Sequence, residues 1–161
     1  MAEQLLNGND VLLYFDTTTP ITTALDAVTP ENFDLVACLT DNGFDGTTAS
    51  LESASKCLAG GFSSSIPDKQ SWTMSLNGEQ LLATGLAGRL SAEEVQQLWI
   101  DKETFWALQY DQAKNSVVYG IVYISSFSKA NGASAISTFS ATLTGVGGVG
   151  TGTTLQPVPG P

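Results

Sequence analysis

The strongest constraint on the fold of this chain is a strict two-residue alternation in one short segment. Large apolar side chains alternate with small hydroxyl residues in the order Ser71, Trp72, Thr73, Met74, Ser75, Leu76. Successive side chains of a β-strand point to opposite faces, so this pattern is typical of a strand with one buried and one solvent-facing side. The pattern predicts a half-buried strand over Ser71–Asn77.

A second β signal lies near the carboxyl end, where two apolar stretches flank an Asn-Gly pair. The stretches are Val117–Ser125 and Ala135–Gly145, and the connection between them contains Asn131 and Gly132. Asn-Gly between alternating apolar segments is a strong hairpin signal. Apolar residues occupy both faces of Val117–Ser125, which predicts a strand that is covered on both sides.

One helix is predicted over Ala92–Asp101. Ser91 and Glu94 have the spacing of a capping box, in which each side chain bonds the backbone of the other residue. Val95, Leu98 and Trp99 then share one face, which is expected to pack against the sheet with Trp99 buried. Further short strands are predicted at Val11–Phe15, Leu35–Leu39, Thr47–Ser55 and Thr104–Tyr110. Many short strands with a single flanking α-helix predict a mainly β fold, a β-sandwich or barrel.

The remaining segments are interpreted as connections and arms. Thr40–Gly46 contains Asp-Asn-Gly and Asp-Gly and predicts a turn, and Lys56–Gln70 predicts a long loop. Residues 1–145 are expected to form one domain, with Met1–Asp10 as a flexible polar N-terminal arm. Residues 146–161 are rich in Gly, Thr and Pro and are expected to form a flexible C-terminal tail.

The charge balance excludes one class of function. The chain has 16 acidic and 6 basic residues, with a net charge of −10. Nucleic-acid-binding proteins neutralise phosphates with Lys and Arg, which are few and scattered here. Charged residues make up only 14% of the chain, against about a quarter in ordinary domains. Such a surface is expected of strands covered by neighbouring subunits, or equally of a Thr-rich β-domain.

No group of residues in the sequence forms a recognisable active site. The chain has no histidine, the commonest general base and metal ligand. Glu93 and Glu94 fall in the predicted helix cap, and the Gly-rich stretch VGGVGTGT lacks the Lys-Ser/Thr ending of a phosphate loop. Cys38 is expected to be a buried apolar residue, unpaired with Cys57. We therefore expect no enzymatic activity, cofactor or metal, and neither a signal peptide nor a membrane-spanning segment.

Taken in order, these segments resemble the major tail-tube proteins of long-tailed bacteriophages. A Ser/Thr-x-Lys stretch, a Gly-Gly loop, a Trp-containing strand and a C-terminal hairpin follow one another between about Val11 and Gly147. Two features depart from the family pattern: Cys57 replaces an acidic residue, and Thr17–Asn32 is longer than expected. The matching residues are Ser53, Ser55, Lys56, Gly60, Gly61, Trp72, Met74, Leu76, Gly78, Tyr123, Ile124, Ser125, Ser126, Phe139, Ser140, Thr142, Leu143, Gly145 and Gly147.

The resemblance implies a structural virion protein of the phage tail, made in the host cytoplasm. Its subunits would form hexameric rings that stack into a tube, each subunit lending strands to a β-barrel around the lumen. DNA would pass through that lumen without specific binding. The implied partners are further copies of this chain and the tape measure, tail initiator or distal tail, and tail terminator proteins.

Two sets of residues are candidates for roles in such a tube. The predicted loop and the two arms are expected at contacts between rings, with Lys56, Gly60, Gly61, Ile66 and Lys69 as candidates. The net negative charge predicts a lumen that repels DNA, with Glu52, Asp68 and Glu79 as candidates. Two alternative functions are a tube subunit of a contractile injection or secretion system, and a monomeric carbohydrate-binding or adhesion β-sandwich.

Overall fold

The computed structural model describes residues 11–24, 30–36, 38–53, 64–80 and 88–152. It confirms a mainly β protein, and one α-helix lies within these ranges. A 3-10 turn at Pro30–Asn32 precedes the second strand. The elements are β1 (Val11–Asp16), β2 (Asp34–Val36), β3 (Leu39–Ser53), β4 (Ser64–Glu79), β5 (Arg89–Leu90), α1 (Ala92–Ile100), β6 (Thr104–Asp111), β7 (Ser116–Ala130) and β8 (Thr138–Gly152).

The eight strands form one hydrogen-bonded sheet in the order β3-β4-β8-β7-β6-β1-β2-β5. All neighbours are antiparallel except β2 and β5. The sheet curls far enough that β3 meets β1, since the Asn42 Nδ2 donates a hydrogen bond of 3.0 Å to the Val11 carbonyl. The main core lies inside this curl, so the packing is that of a sandwich made from one sheet.

The alternation of Ser71–Leu76 is confirmed as the register of β4 against the core. Trp72, Met74 and Leu76 are at most 6% exposed. The indole of Trp72 lies over Gly145 of β8 and Gly120 of β7. Its Nε1 donates a hydrogen bond of 3.0 Å to the Gly147 carbonyl. Trp72 therefore links β4, β7 and β8 from inside the curl.

A second apolar cluster covers the opposite face of β1, β6 and β7. It contains Tyr14, Phe33, Trp106, Leu108, Val117 and Tyr119. The Trp106 Nε1 donates a hydrogen bond of 3.3 Å to the Pro20 carbonyl, which fixes the segment after β1 over this cluster. The prediction that β7 is covered on both faces is confirmed for its first half.

The helix and its capping box are confirmed, but the predicted burial of Trp99 is wrong. Val95 is 0% exposed, whereas Trp99 is 43% exposed. One turn after Val95, Trp99 lies over the second half of β7 and keeps one side open to solvent. There it stacks on Phe127 at a centroid distance of 6.5 Å.

Truncation of the two helix positions tests how deeply each is buried. Val95→Ala should lower the free energy of unfolding by about 2 kcal/mol, because it removes fully buried apolar surface. Trp99→Ala should also cost about 2 kcal/mol, below the roughly 3–5 kcal/mol of a fully buried ring, because 43% of the side chain is already exposed. Urea denaturation of both variants measures the losses, and a loss of about 4 kcal/mol or more for Trp99→Ala would contradict this placement of the helix.

Several predicted connections are in fact strands. Thr40–Gly46 is the first half of β3 and not a turn, because Gly43 permits a close approach to Ser75 of β4. Ser64–Gln70, assigned to the loop, belongs to β4. The last strand continues past Gly145 to Gly152, because Gly150 leaves room for the ring of Tyr119.

The environment of Cys38 was also predicted wrongly. Cys38 is an exposed free thiol with a left-handed backbone (φ 55°) between β2 and β3, so it cannot serve as a core residue. Other predictions fall outside the described residues: the N-terminal arm Met1–Asp10, the loop residues Lys56, Gly60 and Gly61, Cys57, and the end of the C-terminal tail.

Candidate assembly surface

Four adjacent strands of the sheet, β3, β4, β8 and β7, are each 15 or 16 residues long. Strands in globular proteins usually have about five or six residues. Where β4 (Thr73–Glu79) pairs with β8 (Thr138–Thr144), one face of these strands packs on the core and the other carries mostly small polar residues. We call this second surface the hydroxyl face.

The hydroxyl face is built from rows of paired residues across the strands. Thr73 pairs with Thr144, Ser75 with Thr142, and Asn77 with Ser140. The rows continue into β7 through Ser126 and Ser128. On the β3 side they continue through Asp41, Gly43 and Asp45. Among the residues in these rows there is no Lys or Arg, so the formal charge of the face comes from Asp41, Asp45 and, on β4, Glu79.

At the two ends of this group of four strands lie backbone edges without a neighbour in the sheet. β3 is the first strand of the sheet and pairs only with β4. β6 begins at Thr104 opposite Tyr123, so beyond that point β7 pairs only with β8. Such edges present backbone N–H and C=O groups to which another chain can add a strand.

The second half of β3 and the first half of β4 extend beyond β8 as a two-stranded ribbon. β4 pairs with β8 only from Thr73 to Glu79, while β3 and β4 stay paired as far as Ser53 and Ser64. We call Gly46–Ser53 with Ser64–Ser71 the projecting hairpin. Leu51 and Ile66 pair across it, and each is 58% exposed. A two-stranded ribbon with this exposure is marginally stable in water unless another surface covers it.

An apolar cleft of about 690 Å3 lies where α1 ends and β6 begins. We call it the helix-end cleft. Trp99, Ile100 and Tyr123, which line it, are 43%, 52% and 39% exposed. Lys102 is the one charged residue of the lining, which also includes Thr104, Ile124 and Ser125.

The candidate residues predicted from sequence are divided between these surfaces. Ile66 and Lys69 lie on the projecting hairpin, as do the acidic candidates Glu52 and Asp68. Of the three acidic candidates, Glu79 alone lies on the hydroxyl face, where it pairs with Thr138. Asp41 and Asp45 were missed because their segment was interpreted as a turn. The two-residue spacing of Asp41, Gly43, Asp45 and Thr47 is the signal that could have placed them on one strand face.

A group of acidic residues lies away from the hydroxyl face, where β1, β2 and the helix cap meet. Asp16 is fully buried, and its Oδ1 accepts hydrogen bonds from the backbone N–H groups of Thr18 and Thr19 at 2.8 and 3.0 Å. Burial, and then repulsion from Asp16 and Glu94, raise the pKa of the Asp34 carboxyl. A raised folded-state pKa means that ionised Asp34 opposes folding.

Asp34→Asn is therefore expected to raise the melting temperature at pH 7. The gain should vanish below about pH 4, where Asp34 is protonated in the folded and unfolded chains alike. Asp45→Asn, which removes one exposed carboxylate, is the control for the change in net charge. Thermal melts between pH 3 and 7 measure the effect, and a gain in stability that persists at pH 3 would contradict the repulsion.

No cluster of three or more potential metal ligands occurs among the described residues. Within the same ranges, no helix is long and apolar enough to cross a membrane.

The curled sheet with its flanking helix is the fold of tail tube proteins. The chain superposes on a subunit from the tail of the empty gene transfer agent particle, which was computed with C6 symmetry. The TM-score is 0.69 at 16% identity, over 91% of this chain and 98% of that one. The predicted resemblance is thus confirmed at the level of the fold.

Two further solved structures share this fold. The SPP1 tail tube gives a TM-score of 0.64 at 16% identity, over 89% of this chain and 77% of that one. A chain of the anti-feeding prophage baseplate gives 0.58 at 9% identity, over 94% and 97%. No protein-family model and no curated protein matches the chain.

Proposed function

We propose that this chain is the repeating subunit of the tail tube of a long-tailed phage and assembles into stacked hexameric rings. The proposal is carried by the four adjacent long strands, which have a core on one side, the hydroxyl face on the other and a free backbone edge at each end. The C6 symmetry of a tail with the same fold supports a ring of six.

Ring closure follows from the directions of the strands. β3, β4, β8 and β7 alternate in direction. When copies are related by rotation, β7 of one subunit is therefore antiparallel to β3 of the next. Pairing these two edges closes a barrel and removes both edges from solvent. Six subunits with four strands each exceed the strand number at which a barrel leaves an aqueous channel.

The hydroxyl face is suited to line that channel. The opposite face of the same strands packs on the core, so the hydroxyl face is the one that can line the lumen. The rows of this face contain hydroxyl and acidic side chains and no Lys or Arg, so they give DNA no counter-charge. A negative wall repels DNA over roughly 8 Å at physiological salt. This lining supports passage of DNA without binding. We further propose that the tube lies in the virion tail, beside the tape measure, initiator and terminator proteins.

Electron microscopy of the purified protein across a concentration series tests the proposal. Rings and tubes with sixfold symmetry are expected. Dispersed single subunits at every concentration, also when a tail initiator complex is present, would refute assembly and favour a monomeric binding module.

A tube subunit of a contractile injection system is the second candidate. The similarity to the anti-feeding prophage chain favours it, although the TM-score and the identity are both lower than for the phage-type tails. A sheath gene beside the gene for this chain would decide for the contractile system.

A further inference from the structure

We propose that Asn131 is a site of spontaneous modification, at which the folded chain converts its own asparagine into aspartate or isoaspartate. The sequence contains four Asn-Gly pairs, which begin at positions 7, 42, 77 and 131. The structure describes the last three of them and distinguishes the pair at 131 from the other two. The reaction needs only the folded subunit, so it is independent of ring formation.

An Asn-Gly pair can be modified by its own backbone. The Gly132 nitrogen adds to Cγ of Asn131, while the proton of the N–H passes to a base in the solvent. The Cγ–Nδ2 bond then breaks, ammonia leaves with a proton from water, and a cyclic imide remains. Water opens this ring at either carbonyl group, which yields aspartate or isoaspartate. Glycine favours the attack because it has no Cβ atom to obstruct the approach.

The other two described pairs are fixed in the sheet. Asn77 and Gly78 lie in β4, which pairs with β3 on one side and with β8 on the other. Asn42 and Gly43 lie in β3 and pair with β4. A paired strand keeps its backbone extended, whereas ring closure requires the side chain and the following nitrogen to turn toward each other. Both pairs are therefore expected to react slowly.

The pair at 131 lies outside the ladder. β7 ends at Ala130, and both Asn131 and Gly132 are exposed in the connection to β8. The Gly132 N–H donates no hydrogen bond within the described part of the chain. No such bond therefore has to break before the nitrogen attacks.

A neighbouring side chain also activates the Asn131 amide. The Gln80 Nε2 donates hydrogen bonds of 3.0 Å to the Asn131 Oδ1 and 2.9 Å to the Thr138 carbonyl. The backbone N–H of Gln80 is bonded to the Ser137 carbonyl at 2.9 Å, so this donor is held beside the start of β8. Negative charge develops on Oδ1 when the nitrogen adds to Cγ, and a donor placed at that oxygen stabilises it.

Asn42 has such a donor without the freedom to react. Its Oδ1 accepts a hydrogen bond of 3.2 Å from the Gln109 Nε2, but its backbone is paired in β3. Asn77 is held between two strands. Asn131 combines an unpaired backbone with a donor on the amide oxygen, and this combination selects it as the site.

The new carboxylate would lie next to the end of the hydroxyl face. Ala130, the residue before it, shares a row with Thr138 and Glu79. In the proposed tube, the modification would add a charge of the sign that this face already carries. It is therefore compatible with passage of DNA.

Peptide mapping of the folded protein after incubation at near-neutral pH tests the site. Trypsin cleaves after Lys and Arg, so Asn131 falls in the peptide 130–161 and Asn77 in the peptide 70–89. The first peptide should gain the mass difference between NH2 and OH much sooner than the second. In urea, where the ladder is lost, the two should react at similar rates. Equal rates in the folded protein, or a preference for Asn131 that persists in urea, would overturn the inference.

Substitution of Gln80 tests the activation separately. Gln80→Met keeps the length of the side chain without the donor and should slow the reaction at Asn131 about two- to tenfold, the rate equivalent of one hydrogen bond. If Gln80 only held the turn in place, its loss would free the turn and the reaction would be faster. Gln70→Met, which removes an exposed amide bonded to Thr48 on the projecting hairpin, is the matched control and should leave the rate unchanged. A faster or unchanged reaction in Gln80→Met would refute the activating contact.

Discussion

Gly145→Ala is expected to lower the free energy of unfolding by about 3 kcal/mol or more, at the upper end of the usual cost of overpacking a core. A Cβ atom at position 145 would overlap the indole of Trp72, which covers this glycine. The ring cannot move aside cheaply, because its Nε1 is bonded to the Gly147 carbonyl and its other end lies on Gly120. Denaturant melts of the purified variant measure the loss.

Gly148→Ala is the matched control in the same strand. A Cβ at position 148 meets no atom within 4 Å, so this variant should have nearly wild-type stability. Trp72→Leu provides a second check, since Gly145→Ala should cost much less once the indole is gone. Equal effects of the two glycine substitutions would show that Trp72 does not hold the three strands together.

The parts of the fold that sequence predicted correctly are those with a local cause. The alternation around Trp72 and Met74 requires only that a strand has two faces, and the Ser91–Glu94 capping box is completed within four residues. Both features are visible in a short window of sequence. The order of these local elements along the chain then carried the family resemblance, which the structure confirms at the level of the fold.

The errors have non-local causes. Gly43 was interpreted as a turn residue, but it serves a close approach to Ser75 on a neighbouring strand. The Gly-rich end of the chain was interpreted as a tail, but Gly150 accommodates the ring of Tyr119. In both cases a side chain far away in the sequence explains the glycine. A short stretch of sequence around the glycine therefore does not reveal its role.

The candidate surface was predicted less well than the fold for the same reason. Acidic residues were expected to line the lumen, but choosing among them requires the register of four strands. Asp41 and Asp45 join the hydroxyl face only because β3 pairs with β4 along its whole length. Glu52 and Asp68 lie on β3 and β4, in the part of the ribbon where β4 no longer pairs with β8.

Replacing Asp41 and Asp45 together by lysine is expected to convert a tube that does not bind DNA into one that retains it. Each ring of six would gain twelve lysines on the proposed lumen wall. Binding that depends on phosphate neutralisation falls steeply with salt, by about 10³-fold or more between 50 and 200 mM for several contacts. DNA retained at low salt should therefore be released at physiological salt.

Nuclease protection distinguishes the lumen from the outer surface in this experiment. DNA held by tubes of the Asp41→Lys, Asp45→Lys variant should survive nuclease treatment, because the tube wall encloses it. Glu52→Lys with Asp68→Lys makes the same change in charge on the projecting hairpin and should bind only digestible DNA. If the β3 substitutions prevent tube formation, Thr142→Lys in the central strand β8 tests the same wall. Protected DNA in the hairpin variant, with none in either hydroxyl-face variant, would mean that the hydroxyl face does not line the channel.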